Sequence, residues 1–129
     1  MAAIDLTAVD VLPWPYEFTS ATTWQEVRIP TWCDLQITSD TDLWIAYKAA
    51  QDPASETNPA DGGAVGTGKM PIYANSVVDA DFPAQHGPQR GRVGNAQGEA
   101  DGYLTVFLAA QSGTPTVYLE VRQAAQDQR

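Results

Sequence analysis

Eight consecutive residues offer the chain's closest approach to catalysis. "GAVGTGKM", residues 63–70, places two glycines and a lysine as a phosphate-binding loop does, G-x-x-x-x-G-K. Such a loop works because successive backbone N–H groups cradle phosphate oxygens while the lysine reaches the terminal phosphates. The next position should carry a hydroxyl for magnesium, and Met70 stands there. A helix should start at that point, yet Pro71 disfavours helical geometry at Met70. Where a strand should precede Gly63 the chain reads "ASETNPADGG". Without the strand–loop–helix setting the segment reads as a Gly-rich loop that contains Lys69.

The remaining chemistry-bearing residues are sparse. His86 is the sole histidine, in "PAQHGPQRG", so any Ser-His-Asp or Cys-His site would have to use it, and no nucleophile is fixed beside it. Cys33 is the sole cysteine, which excludes an intrachain disulfide and leaves too few ligands for a structural zinc site. Carboxylates recur as Asp40 and Asp42, Asp79 and Asp81, Glu99 and Asp101. Calcium favours oxygen ligands in loops, but none of these spacings is that of a calcium loop, and Asp is an ordinary turn residue. A paired-carboxylate glycosidase has no better support, since any two of 16 acids could be named. No catalytic, cofactor-binding or metal-binding residue is assigned.

Acidic residues outnumber basic ones by 16 to 7, for a net charge of −9. That balance argues against nucleic acid, whose phosphates call for clustered Lys and Arg, and against an anionic membrane surface. No apolar run approaches the roughly 20 residues of a helical membrane span. "MAAIDLTAVD" lacks the basic and apolar regions of a secretory signal, which points to synthesis in a cytoplasm.

The elements available to position side chains are strands. In "CDLQIT" (33–38), "DLWIAYK" (42–48) and "TVYLEVR" (116–122) apolar residues alternate with polar ones, the mark of a strand with one buried face. Leu35, Ile37, Leu43, Ile45, Leu119 and Val121 fall on the inner parity. "WQEVRI" (24–29) puts Val27 and Ile29 inward, and "YLTVFLAA" (103–110) is apolar on both parities, as in a strand covered on both sides. Residues 4–12 and 70–78 are weaker strand candidates. "TSDTD" (38–42) reads as a tight connection, and "SGTP" (112–115) as a hairpin turn joining the last two strands. Residues 50–69 and 79–101 hold eight of the ten glycines and read as long loops. With 129 residues and 43% hydrophobic content, the expectation is an all-β domain, an antiparallel β-sandwich of jelly-roll or Ig-like type. Its parts would be an N-terminal arm (1–20), the sandwich (21–123) and a C-terminal tail (124–129).

Aromatic residues supply the interface candidates. Trp24, Trp32 and Trp44 fall on the more polar parity of their segments, which would turn the rings to the surface unless loops 50–69 and 79–101 cover them. "DVLPWPYEF" (10–18) adds Trp14, Tyr16 and Phe18 between and after two prolines. Proline removes ladder donors, so this stretch cannot be a central strand, and its stiffness lowers the entropy lost on docking. Trp and Tyr are enriched at interface hot spots.

Two stretches carry a resemblance. "TTWQEVRIPTWCDLQITSDTDLWIAYKAA" (22–50) resembles the front half of small virion proteins of tailed bacteriophages, and "YLTVFLAAQSGTPTVYLEVRQ" (103–123) resembles their closing hairpin. The resemblance implies a non-enzymatic capsid decoration (cement) or head-fibre protein, or a neck or tail part. It implies the major capsid protein and further copies of the chain as partners, with a trimer as one arrangement, and a place in the virion after synthesis in a host bacterium. It carries no active-site residues. A carbohydrate-binding or receptor-binding module is the alternative, with Trp and Tyr rings stacked on sugars.

Overall fold

A computed structural model of the chain describes residues 3–47, 59–66, 68–80 and 103–123. These residues form nine strands and no helix: β1 (Ile4–Asp5), β2 (Trp14–Thr19), β3 (Gln25–Ile29), β4 (Cys33–Ser39), β5 (Leu43–Tyr47), β6 (Met70–Ile72), β7 (Val77–Asp79), β8 (Leu104–Ala110) and β9 (Thr116–Gln123). One sheet has the order β1-β3-β8-β5-β6 and the other β2-β9-β4-β7. Every pairing is antiparallel except β1 with β3, where Ile4 lies beside Val27. The two sheets pack face to face as a β-sandwich.

The pairings decide between the two expected topologies. Setting β1 aside, the first remaining strand pairs with the last (β2–β9), the second with the next to last (β3–β8), then β4 with β7 and β5 with β6. That is a long antiparallel hairpin rolled around a core, the jelly roll. The roll makes the chain change sheets at nearly every connection. "SGTP" is therefore not a hairpin turn: β8 and β9 lie in opposite sheets and do not pair. The same holds for residues 40–42, which carry the chain from β4 to β5. Polar residues close this arch. Asp42 Oδ1 accepts from the Ala74 amide at 2.7 Å, and Gln111 Nε2 donates to the Leu43 carbonyl at 3.0 Å.

The inner faces follow the alternation. Leu35, Ile37, Leu43, Ile45, Leu119 and Val121 are all buried in one cluster with Val27, Ile29, Cys33, Leu104, Val106 and Leu108. β8 is buried at every position. Its alternate residues fill the sandwich core on one side and a second cluster on the other, made of Trp24, Ala46, Phe107 and Ala109 with Trp44 and Val65 against it.

The first twenty residues do not stand apart as an arm. They give each sheet a border strand, β1 and β2. Leu6 is buried in the core, and Ile4, Val9, Leu12 and Phe18 pack against it. The β1 turn is fixed by Asp5, whose Oδ1 accepts from the Thr7 hydroxyl at 2.5 Å and the Thr7 amide at 3.0 Å. Those two bonds, the hydroxyl first, hold the Asp5 carboxyl below its usual range. The expected tail, 124–129, lies outside the described residues.

All four border strands are blunt. β1 has two residues and β7 three, while β2 and β6 each contain a proline. Short borders and missing N–H donors discourage a further strand from adding to a sheet.

Candidate functional site

The phosphate-loop look-alike is structural. No helix follows it: β6 begins at Met70. The Lys69 ammonium lies 4.8 Å from the centre of the Trp44 ring and donates to the Gly66 carbonyl at 2.8 Å. The carbonyl and the π face together hold the charge against the sheet, where a nucleotide would need it free. We expect no heat of ATP–magnesium binding by isothermal titration. Affinity in the micromolar range that disappeared in Lys69→Ala would reverse this assignment.

The stretch before it is a cover. Trp24 N–H donates to the Gly63 carbonyl at 2.8 Å, and Gly62 N–H donates back to the Trp24 carbonyl at 2.7 Å. The Glu26 amide donates to Asp61 Oδ1 at 3.0 Å. A side chain at position 63 would put its Cβ 2.9 Å from the Ala60 carbonyl oxygen, and Gly62 has a φ of +79°, so the tight path needs both glycines. The result corrects the expectation for Trp24. Its parity is outward, with Glu26 and Arg28, but the ring is only 2% exposed and meets Phe107 edge to face at 6.4 Å between centroids. Trp44 is half-buried beneath Lys69. Neither tryptophan presents a free ring.

The other candidates divide by position. Trp32, 50% exposed, stands in the short turn before β4. Trp14, Tyr16 and Phe18 pair with Val121, Leu119 and Val117, all three inward-facing. Directly opposed residues of an antiparallel pair point to the same side, so these three rings lie on the inner side of β2. Phe18 reaches the core. Trp14 and Tyr16 remain 39% and 37% exposed and do not join the core cluster that Phe18 packs against. Two large aromatic rings are thus accessible along this border strand.

The outer face of the four-stranded sheet carries a groove centred on a residue outside the interface candidates. Tyr118 of β9 is 50% exposed, with Glu17 of β2 on one side and Thr38 of β4 on the other. The adjacent row runs Pro15, Glu120, Gln36. These residues line a groove of about 510 Å³. The alternation that put Val117 and Leu119 inside already put Tyr118 outside.

His86, Asp81, Glu99 and Asp101 lie outside the described residues, and among the described residues no three His, Cys, Asp or Glu side chains come together as metal ligands. Arg28 of β3 donates to Glu26 at 2.6 Å and lies 4.7 Å from the centre of the Tyr103 ring. The Glu26 bond is the main cause raising its pKa. The chain matches no protein-family model, no curated protein and no solved structure.

Proposed function

We propose that this chain is a non-enzymatic structural protein of a phage virion, which decorates the outside of the capsid and reinforces it. The observation that carries the reading is the pair of exposed rings on the border strand β2. Trp14 and Tyr16 are accessible on a strand that contains Pro15 and follows Pro13, residues without the N–H donors that recruit another strand. Contact there is made by side chains, and a large ring that fills a neighbour's pocket is the commonest kind of interface anchor. The resemblance of residues 22–50 and 103–123 to small virion proteins agrees with this reading. So does the jelly roll, as an analogy of fold, since viral capsid domains use it. A protein that binds only the assembled lattice stabilises it by mass action, and many symmetry copies compound the gain.

Co-sedimentation with phage heads assembled without the protein tests the proposal. Wild type should coat the heads. A Trp14→Ala, Tyr16→Ala double variant should still melt cooperatively, though at a lower temperature, and well below that melt it should coat them at least about tenfold more weakly, the loss expected of an aromatic anchor. Coating by the double variant at wild-type level would refute the assignment of this border to the capsid.

A further inference from the structure

We propose that the groove on the outer face of the four-stranded sheet binds a neutral oligosaccharide, with Tyr118 as the stacking platform. β2 lends Pro15, Tyr16 and Glu17 to this groove, but its platform is distinct from the Trp14 ring: Tyr118 and Trp14 lie on opposite sides of the same sheet.

A sugar-binding site needs a flat apolar surface for the C–H face of a pyranose and, beside it, planar acceptors and donors for hydroxyl pairs. The groove has both in two adjacent cross-strand rows. The exposed Tyr118 ring supplies the platform, and Pro15 adds apolar surface one row away. Glu17 and Thr38 flank the ring directly, while Glu120 and Gln36 form the neighbouring row. Arg122 organises that row, since Nε binds Glu120 Oε2 and NH2 donates to Gln36 Oε1 at 3.3 Å. The Gln36 amide nitrogen and the second Glu120 oxygen are then left to meet hydroxyl groups as donor and acceptor. The volume of about 510 Å³ lies inside the roughly 300–1,000 Å³ usual for small-ligand sites.

Charge selects the class of sugar. Glu17 and Glu120 line the groove and Arg122 is already paired with Glu120, in a chain whose net charge is −9. Uronic acids, sialic acids, sulfated glycans and nucleic acid would meet repulsion. Uncharged hexoses would not.

Titration of the 15N-labelled full chain, followed by amide shifts, tests the site. The probes are cellohexaose, maltohexaose, xylohexaose and chitohexaose in its N-acetylated form, with a galacturonic acid hexamer as the anionic comparison. At least one neutral probe should bind, with the largest shifts at Glu17, Gln36, Thr38 and Tyr118. Tyr118→Ala should weaken that binding at least about tenfold without lowering the melting temperature, and Trp14→Ala should leave it unchanged. The proposal fails if no neutral probe shifts these amides at concentrations up to about 10 mM, if Tyr118→Ala binds as well as wild type, or if the anionic hexamer binds more tightly. These outcomes are distinguished from capsid coating through Trp14, which does not line the groove.

Discussion

A chain that begins at Ala21 should fail to fold stably. Removing residues 1–20 strips β2 from one sheet and β1 from the other, and with them the buried Leu6 and the partly buried Ile4, Val9, Leu12 and Phe18. A fully buried side chain of the Leu or Phe kind is worth about 1.5–3 kcal/mol, and partial burial a share of that. One full and four partial burials therefore come to several kcal/mol before the β2–β9 ladder is counted. Whole domains have only about 5–15 kcal/mol in hand. Far-ultraviolet circular dichroism through a thermal ramp should show a truncated chain that is largely unfolded at 25 °C, or that melts far below the full chain. A cooperative transition within a few degrees of the full chain would show that these residues are dispensable to the sandwich. The separate-arm expectation required that outcome.

Trp24→Ala should be among the most damaging single substitutions. The ring is 2% exposed, packs on Phe107, and lies under a cover pinned to its own backbone by two hydrogen bonds. Truncating a buried tryptophan costs about 3–5 kcal/mol, because the lost burial is compounded by the cavity left behind. Trp32→Ala is the internal comparison: half exposed in a turn, it should shift stability by no more than about 0.5 kcal/mol. Urea denaturation midpoints of the two variants separate the cases. Equal losses would mean that residues 59–66 do not seal the Trp24 ring from water.

These two cases also show where the sequence was informative. Alternation is a property of one strand and its two faces, so Leu35, Ile37, Leu43, Ile45, Leu119 and Val121 could be placed inside from the sequence alone, and the all-apolar "LTVFLAA" could be recognised as doubly covered. What covers a face is a different matter. Trp24, just before β3, has the outward parity of Glu26 and Arg28, but its burial depends on Asp61, Gly62 and Gly63, far along the chain. Turn residues have the same limit. Gly113 and Pro115 announce that the chain reverses, yet nothing local says whether it returns beside β8 or crosses to the other sheet. β2 was legible as a strand that could not be central, because proline rules that out. Its role as a border strand rests on a ladder with β9, at the opposite end of the described chain. Of the interface candidates, Trp14, Tyr16 and Trp32 are exposed and Trp24 is buried. The Tyr118 groove was available from the same parity that exposed it.

The rolled hairpin also orders the steps by which the chain can close. Loop-closure entropy rises with the length of unpaired chain between two partners. β5 with β6 is the innermost pair, at the tip of the roll. Once it has formed, β4 and β7 are separated from each other by only the short arches 40–42 and 73–76 around a fixed core, and β3–β8 and β2–β9 can follow in turn. Taken in any other order, each ladder must first close a long open loop. Nesting thus shortens the β4–β7 and β2–β9 closures, while residues 48–69 and 80–103 remain the long connections that the β5–β6 and β3–β8 pairings must span.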